Sequence, residues 1–376
     1  MRVAIIGGGP AGLFAAILLR SRGLAKEVVV FERSRPDATF GFGIVMSGAT
    51  LANLRAADPA SHAAIAAGSV AWTDVIVGHP LESVRVGGND FVGLSRLRFL
   101  RALQARSADA GVELRFEEEV TDPDSLDADL VIGADGVRSV VRSFYAEHFG
   151  PRLDEGANPY IWLGTARVFD GLAMIFRPTE HGVFVAHAYE YGALGSTFVV
   201  ECSQAAWKSA GLDRLSENAA LGYLQGVFEQ DLSGAALVAK DYRWIRFLQV
   251  ANKHWSYERT ALLGDALHTA HFSIGSGTKL ALESAIALVD ALDAAPSVPR
   301  ALALFETGRR PAVEAFQAAS FESMRWIESV EPDLSLSPVA FSYRLMTRSG
   351  RLDDDRLRRK DPAFFAALEE TRLTGE

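Results

Sequence analysis

The fold class of this chain is indicated by residues Val3-Ala4-Ile5-Ile6-Gly7-Gly8-Gly9-Pro10-Ala11-Gly12. The first four residues of this stretch are typical of a buried strand, and the apolar run over residues 13–19 predicts a helix after the glycines. A second buried strand is predicted over residues 28–31, just before Glu32. This order of strand, turn, helix and strand predicts an α/β fold with a parallel sheet and crossover helices.

The glycines in the turn are spaced as Gly7-x-Gly9-x-x-Gly12, and Glu32 follows twenty residues after the last of them. Such glycines allow a tight turn, a close approach of the backbone to a pyrophosphate and close packing of the helix. The helix N-terminus favours the anion, and the carboxylate can accept a hydrogen bond from a ribose hydroxyl. We therefore predict dinucleotide binding, with NAD and FAD both open at this point. The predicted contacts are Gly7, Gly9, Pro10, Ala11, Gly12, Glu32 and Arg33.

The composition excludes several classes of protein. The 376 residues carry a net charge of −9, which argues against sequence-independent nucleic-acid binding because that requires a basic surface. A single cysteine, Cys202, leaves no internal disulfide, and no Cys/His cluster has the spacing of a metal site, so we expect no metal. The first apolar run is too short for a signal peptide or a membrane span, and we expect a cytoplasmic protein.

The pattern of the sequence changes along the chain. Aromatic and β-branched runs over residues 160–202 predict at least four largely antiparallel strands, whereas strand and helix patterns resume at residues 260–263 and 278–292. The tail from Arg300 has a helical pattern. We predict a nucleotide-binding domain of residues 1–70, 95–152 and 253–300, a β-rich substrate domain of residues 71–94 and 153–252, and a C-terminal helical region of residues 301–376.

Two further motifs follow predicted strands: Ala134-Asp135-Gly136-Val137-Arg138-Ser139 and Leu263-Gly264-Asp265-Ala266-Leu267-His268. With the N-terminal glycines, and in this order, they resemble the three fingerprints of the aromatic-ring flavoprotein hydroxylases. The resemblance implies FAD as cofactor, a Rossmann-like FAD-binding domain of the hydroxybenzoate-hydroxylase type and a β-sheet substrate domain. It also implies that Asp265 binds the ribityl chain and that Arg96 contacts FAD.

The glycine-rich stretch Phe272-Ser273-Ile274-Gly275-Ser276-Gly277-Thr278 precedes a predicted helix. Backbone N–H groups at a helix start supply partial positive charge, which would stabilise the anionic reduced flavin at its N1–C2 edge. The chain departs here from the general family, which has Pro at the position of Phe272 and Asn at that of Thr278. The resemblance adds the following FAD contacts to the N-terminal ones: Gly43, Arg96, Asp135, Gly264, Asp265, Gly275, Gly277 and Thr278.

Further stretches resemble the aryl-CoA hydroxylases, a branch of the same family that acts on salicylyl-CoA and 2-aminobenzoyl-CoA. They are residues 40–45, 160–165, 180–183, 196–201, 268–280 and 338–348, and the chain departs from the branch at residues 46–49 and 283–284. The resemblance implies that NADH or NADPH reduces FAD and that O₂ adds to the flavin as a C4a-hydroperoxide. It further implies hydroxylation of the ring of an aryl-CoA thioester, with salicylyl-CoA giving gentisyl-CoA.

Other functions remain open. Many of these stretches are shared with the tryptophan hydroxylase of violacein biosynthesis, so a tryptophan or indole ring is the second candidate substrate. A flavin- or NAD-binding protein without oxygenase activity is the alternative from another class. We expect a monomer or a homodimer that binds O₂ and a small aromatic, CoA-linked substrate, with neither nucleic acid nor membrane as a partner.

Histidines and aromatic residues are the candidates for the ring chemistry. His187 and His271 are proposed as a base or hydrogen-bonding group because histidine titrates near neutral pH, and a structural role is the alternative for each. The candidates for a substrate pocket, which can equally be plain core, are Tyr160, Trp162, Tyr189 and Phe272. The cations available for CoA phosphates, which surface salt bridges explain equally well, are Arg167, Arg177, Lys240, Arg243, Arg246, Arg309 and Arg310.

Overall fold

The computed structural model describes residues 1–193, 195–275 and 277–374, so Ser276 of the glycine-rich stretch lies outside the described residues. In this part of the chain the strands are β1 (Arg2–Ile6), β2 (Glu27–Glu32), β3 (Gly43–Ser47), β4 (Val70–Trp72), β5 (Val75–Gly78), β6 (Ser83–Val86), β7 (Phe91–Ser95), β8 (Glu113–Phe116), β9 (Leu130–Gly133), β10 (Pro151–Thr165), β11 (Leu172–Thr179), β12 (Gly182–Glu190), β13 (Ser196–Cys202), β14 (Leu237–Ala239), β15 (Ile245–Asn252), β16 (Ser256–Tyr257) and β17 (Thr260–Leu262).

The helices of the same residues are α1 (Pro10–Ser21), α2 (Gly48–Ala57), α3 (Pro59–Ala66), α4 (Arg96–Asp109), α5 (Val140–Phe144), α6 (Ala146–Phe149), α7 (Gln204–Ser209), α8 (Glu217–Val227), α9 (Glu229–Leu232), α10 (Gly277–Ala294), α11 (Val298–Glu328), α12 (Pro338–Thr347), α13 (Asp354–Lys360) and α14 (Pro362–Thr374). Short 3₁₀ turns span Pro123–Ser125, Gly264–Ala266, Phe272–Ile274 and Glu331–Ser335. Across the described helices, none has both the length and the apolar character that crossing a membrane requires.

The first sheet brings the sequence motifs together. Its strands lie in the order β16-β17-β9-β1-β2-β8, and every neighbouring pair is parallel except β16 with β17. Helices α1 and α10 pack against each other within the same core. Because parallel strands share a direction, the loops after β1, β9 and β17 meet at one edge of the sheet. These loops carry Gly7, Asp135 and Gly264.

The second sheet is the β-rich layer, with strands in the order β14-β10-β13-β12-β11-β5-β6 and with β15 also paired to β10. Neighbouring strands are antiparallel except for β5 and β11. Side chains alternate between the faces of a sheet, so residues two apart share a face. One face packs Phe184 and Phe198 against Phe228 and helices α7 to α9. The opposite face carries Val185 and, two residues later, His187.

Residues 71–94, predicted to lie in the β-rich domain, are divided between two sheets. Strands β5 and β6 extend the second sheet, but β4 and β7 form a separate three-stranded sheet with β3. Strand β7 leads directly into α4, whose N-terminus is capped by the side chain of Ser95. This direct connection holds β7 beside the first sheet, and it also fixes the position of Arg96.

The C-terminal helices share the cores of both sheets. Near its N-terminus, helix α11 packs Leu302 and Phe305 into the core of the first sheet. It ends with Ile327, which packs with Phe341 of α12 beneath the second sheet. Helices α13 and α14 pack their apolar residues against Val86 of β6. The tail predicted as a separate helical region therefore contacts both sheets, and it brings polar side chains close to the loop after β17.

Candidate active site

Two close backbone approaches shape the turn between β1 and α1. Gly7 has φ of +113°, and a Cβ atom there would lie 2.3 Å from the carbonyl oxygen of Ala134. A Cβ atom on Gly12 would lie 2.1 Å from the carbonyl oxygen of Gly7. Gly9, in contrast, has no atom within 4 Å of its Cβ position and stands in open space at the start of α1. The turn therefore presents bare backbone to a ligand at a helix N-terminus, which is the arrangement that binds a pyrophosphate.

Glu32 lies beside this turn and is already hydrogen-bonded. Its two carboxylate oxygens accept hydrogen bonds from the backbone N–H groups of Gly8 and Ser34, each at 2.8 Å. With Gly9 and Arg96, Glu32 lines a cavity of about 140 Å³. A ribose contact of Glu32 stays a prediction. The neighbouring Arg33 does not line this cavity, and its side chain is exposed, 3.9 Å from Glu119.

Arg96 and Asp265 form the charged part of the cleft. The Nε atom of Arg96 is enclosed and has no hydrogen-bond partner in the described residues. Asp265 is surrounded by protein, yet its side chain faces open space and accepts no hydrogen bond from these residues. Burial lowers the pKa of Arg96 and raises that of Asp265, and each charge partly opposes the shift of the other. An unpaired donor and an unpaired acceptor in one cleft fit the phosphate and ribityl groups of FAD.

Asp135 serves the protein backbone. Its carboxylate accepts hydrogen bonds from Ser139 Oγ and the Val140 N–H group, both at 2.6 Å, and so holds the start of α5. The buried Arg142 donates to the carbonyl oxygens of Val137 at 2.6 Å and Ala266 at 3.0 Å. Arg142 therefore joins the loop after β9 to the loop that carries Asp265. The sequence analysis missed Arg142, although it lies only three residues beyond the second motif.

The other predicted cofactor residues lie at or beside the starts of α1, β3 and α10 and in the loop after β17. Ala11 faces Gly264, where a Cβ atom would lie 2.8 Å from that of Ala11. Gly43 begins β3, and its carbonyl oxygen accepts a hydrogen bond from the Tyr189 hydroxyl at 2.9 Å. The remaining three are Gly275 after the 3₁₀ turn and Gly277 and Thr278 in the first turn of α10, each side of the undescribed Ser276.

Phe272 is the centre of an aromatic cluster. Its ring centroid lies 4.6 Å from that of Tyr160, 6.3 Å from that of Trp162 and 5.2 Å from that of His187. Three of the four predicted pocket residues therefore meet. Tyr189 lies apart, stacked on Trp72 with its hydroxyl bonded to Gly43, and burial raises its pKa to about 12.

His187 is paired with a carboxylate that the sequence analysis did not select. Its Nε2 atom lies 2.6 Å from Oε1 of Glu201, and both side chains are buried. Burial acts to raise the pKa of Glu201, but the hydrogen bond from His187, with smaller effects of neighbours such as the Asn158 amide, outweighs it and holds this pKa below its usual range. A carboxylate only accepts hydrogen bonds, so Nε2 carries a proton, and in the neutral imidazole Nδ1 has the lone pair. Nδ1 has no partner in the described residues, which leaves it able to accept a proton.

His271 occupies a different environment. It is 2% exposed, and its Nδ1 atom lies 2.8 Å from the hydroxyl of Ser273. The pKa of His271 is lowered to about 4, mainly by burial; Glu201 opposes this shift, whereas the charge of Arg348 and that of a protonated His187 add to it. His271 is therefore neutral at physiological pH, and it is a poorer proton acceptor than its residue type suggests.

Most of the cations proposed for CoA phosphates are paired with carboxylates. Arg177 lies 2.5 Å from Asp231 in a partly buried ion pair, and Arg309 lies 2.9 Å from Glu283. The other paired cations are Arg243, Arg246 and Arg310. Within the described part of the chain, Lys240 and Arg167 make no ion pair. Lys240 lines a cavity of about 280 Å³ together with Phe40, Gly41 and Trp162.

This chain resembles a known protein family and known structures over most of its length. The FAD binding domain family matches residues 1–320. The fold is similar to that of the tetrameric form of 2-methyl-3-hydroxypyridine-5-carboxylic acid oxygenase, with a TM-score of 0.73, 21% identity and coverage of 96% of this chain and 95% of that one. The chain belongs to the FAD-binding-domain family, and FAD is its cofactor.

Two curated relatives define the class more closely. Salicyloyl-CoA 5-hydroxylase of Streptomyces sp is 43% identical over 361 residues, which cover 93% of this chain and 70% of that protein. The 3-hydroxy-4-methyl-anthranilyl-[aryl-carrier protein] 5-monooxygenase of Streptosporangium sibiricum is 36% identical and covers 94% and 95% of the two chains. The chain is thus one of the FAD-dependent aromatic monooxygenases, which take electrons from NADH or NADPH. The predicted family, fold class and cofactors are confirmed.

Proposed function

We propose that this enzyme hydroxylates the aromatic ring of an aryl-CoA thioester, and that salicyloyl-CoA is converted to its 5-hydroxy product. The observation that carries the proposal is the His187–Glu201 pair beside the Phe272 cluster, because Glu201 accepts from Nε2 and leaves Nδ1 of the neutral imidazole as the acceptor. The names of the two relatives, both of which act on aryl acids linked to a carrier, support the thioester.

The roles of the residues follow from their contacts. FAD, when bound, supplies the activation of O₂ for transfer of one oxygen atom to the ring. Nδ1 of His187 accepts the proton of the substrate phenol, which makes the carbon para to the hydroxyl more electron-rich. Glu201 stabilises the imidazolium that this transfer produces. Tyr160, Trp162 and Phe272 enclose the ring and exclude water.

The cavity beside Lys240 gives the thioester arm a route out of the protein. Trp162 lines this cavity and also lies next to Phe272, so one side chain separates the cavity from the aromatic cluster. Lys240 donates a hydrogen bond to the carbonyl oxygen of Gly41 at 3.2 Å, and its ammonium lies 4.7 Å from the centre of the Phe42 ring. A cation at this rim is placed to meet the phosphates of CoA.

The proposal is tested by NADH and NADPH oxidation in the presence of salicyloyl-CoA, free salicylate or tryptophan, with product mass determined in each case. We expect salicyloyl-CoA to accelerate oxidation and to gain one oxygen atom. Hydroxylation of tryptophan or free salicylate in preference to the thioester would overturn the substrate assignment. A yellow protein that yields no hydroxylated product with any aromatic thioester would do the same.

Recognition of the CoA phosphates is tested with Lys240→Met and a control, Lys208→Met, which removes an exposed lysine of helix α7. The substrates are salicyloyl-CoA and salicyloyl-N-acetylcysteamine, a thioester without phosphates. We expect Lys240→Met to raise KM about tenfold for the CoA ester alone, since a charged hydrogen bond contributes about 1.5 kcal/mol. An equal change for both esters would contradict phosphate recognition by Lys240.

A further inference from the structure

A chain of hydrogen bonds runs from the end of α12 to His271. Nε of Arg348 lies 2.8 Å from Ser323 Oγ on α11. Ser323 Oγ lies 2.8 Å from Ser273 Oγ, and Ser273 Oγ lies 2.8 Å from His271 Nδ1. Ser273 and Ser323 are fully or nearly enclosed, as is His271, so these bonds form away from solvent. This series of hydrogen bonds ends at the guanidinium of Arg348, which has no carboxylate contact in the described residues.

The direction of these bonds follows from the donors at each end. The backbone N–H group of Ser273 also points at His271 Nδ1, at 3.3 Å, and an N–H group can only donate. Nδ1 of His271 therefore has the lone pair, and the Ser273 hydroxyl donates its single hydrogen to Nδ1. Ser273 must then accept from Ser323, which in turn accepts from the Arg348 guanidinium. Every donor in the chain points towards His271.

Arg348 also holds the backbone of the segment that carries Phe272. One of its terminal nitrogens donates to the carbonyl oxygen of Ser273 at 2.7 Å. On the other side, the hydroxyl of Ser320 on α11 accepts a hydrogen bond from the N–H group of His271 at 3.2 Å. The segment before α10 is thus fixed by side chains of the C-terminal helices.

We infer that Arg348, Ser323 and Ser273 are positioning residues that hold His271 as its neutral Nε2–H tautomer, a hydrogen-bond donor whose ring packs against Phe272, as does that of the proton acceptor His187. The two histidines then present complementary atoms, Nδ1 with a lone pair on His187 and Nε2 with a hydrogen on His271. The use of this pair on a phenol thioester rests on the proposed function. The tautomer itself does not, because it follows from protein contacts alone.

The test is nitrogen NMR of the FAD-loaded enzyme with labelled histidine, and the His271 signals are identified by their loss in His271→Gln. In the wild type we expect a pyridine-type Nδ1 and a pyrrole-type Nε2. Ser323→Ala and Arg348→Met should each move both nitrogens towards intermediate shifts, because the chain is broken and the tautomers mix. The control Arg344→Met removes an exposed cation of α12 and should leave the His271 signals in place.

A pH titration distinguishes the effect of the Arg348 charge on His271 from the effect of the hydrogen bonds. The charged groups that act on His271 are Glu201 and His187 from the second sheet and Arg348 from the end of α12. Loss of Arg348 should raise the His271 titration midpoint, Arg348→Lys should restore it in part, and Ser323→Ala, which keeps the cation, should change the tautomer with little shift of the midpoint.

Two results would overturn the inference: a wild-type His271 protonated on Nδ1, or His271 nitrogens that are identical in the wild type, Ser323→Ala and Arg348→Met. Since no substrate is present in these experiments, failure of salicyloyl-CoA as a substrate would leave their outcome unchanged. The two hypotheses therefore fail separately.

Discussion

The two ends of the ligand cleft are built in opposite ways. At the nucleotide end, the backbone of residues 7–12 and the carboxylate of Glu32 come from one strand–helix–strand unit. At the ring end, the Phe272 cluster and its polar neighbours use side chains from β10, β12 and β13, the segment before α10, and helices α11 and α12. The nucleotide end depends on glycines, which have no side chain, whereas the ring end depends on which side-chain atoms carry protons. The two ends should therefore respond to different kinds of substitution.

The largest effect is expected at Gly12. Gly12→Val places side-chain atoms against the carbonyl oxygen of Gly7, where even a Cβ atom would lie 2.1 Å away. Overpacking of this kind costs several kcal/mol because the backbone must shift, so we expect loss of folded, yellow protein. Gly9→Ala is the matched control: its Cβ meets no protein atom, and it should fold while retaining FAD less tightly. Equal behaviour of the two variants, by circular dichroism and flavin absorption, would contradict the backbone account of this end.

The next effect is expected at Glu201, within the ring end. Glu201→Gln keeps the shape of the side chain but removes the charge that stabilises a protonated His187. We expect the kcat for the thioester to fall about 10²–10³-fold, in the range of general acid–base catalysis, while flavin content stays unchanged. Stopped-flow measurement should place the loss in ring hydroxylation. If the rate lost is flavin reduction alone, the acceptor role of His187 is wrong.

The buried histidines should make stability depend on pH. Burial lowers the pKa of His271 to about 4, and burial with the Arg309 charge lowers that of His268 to about 3, from an ordinary 6.5. Between each lowered pKa and 6.5, the unfolded chain binds a proton that the folded chain does not. Stability is therefore lost as the pH falls from about 6.5 to about 4. His271 alone should account for about 3 kcal/mol of this loss.

This expectation is measured by urea unfolding of the FAD-loaded enzyme across that pH range. His271→Gln should reduce the slope of unfolding free energy against pH by one proton. His254→Gln, which removes an exposed histidine, provides the control and should retain the wild-type slope. A wild-type unfolding free energy that does not change between pH 6.5 and 4 would show that these rings are protonated in the folded enzyme.

The smallest effect is expected at Arg33, a residue predicted from its place after Glu32. Its side chain is exposed and 3.9 Å from Glu119, away from the nucleotide cavity. Exposed ion pairs contribute about 0–1 kcal/mol, so Arg33→Ala should change the Kd for FAD less than about threefold. A tenfold loss of affinity in fluorescence titration would show that the Arg33 side chain contributes to FAD binding. The nucleotide end would then depend on side chains as well as on the backbone.

The nucleotide end was predictable because its determinants are local. The glycine spacing and the distance to Glu32 follow from the geometry of one crossover unit, and the later motifs must meet them at one edge of a parallel sheet. Asp135 shows the limit of this reasoning. Its position after β9 is as predicted, but its carboxylate is engaged by Ser139 and the start of α5.

The ring end was only partly predictable. Strand alternation places Thr197, Val199 and Glu201 on one face of β13, but the partner of Glu201 depends on the register between β12 and β13, where Val185 faces Glu201 and His187 lies diagonally. No local sequence pattern predicts that Ser323 and Arg348 contact Ser273, which lies 50 or more residues earlier in the chain.

The parallel sheet and the phosphate-binding turn could be predicted from the sequence alone, since they depend on residues close together in the chain. The flavin class came from the resemblance of three motifs to those of a known family. The carboxylate partner of His187, the burial that keeps His271 neutral and the hydrogen bonds that link His271 to Arg348 all come from tertiary packing. The physical reason is that protonation depends on burial and on charges a few ångströms away in space, which the order of residues along the chain does not specify.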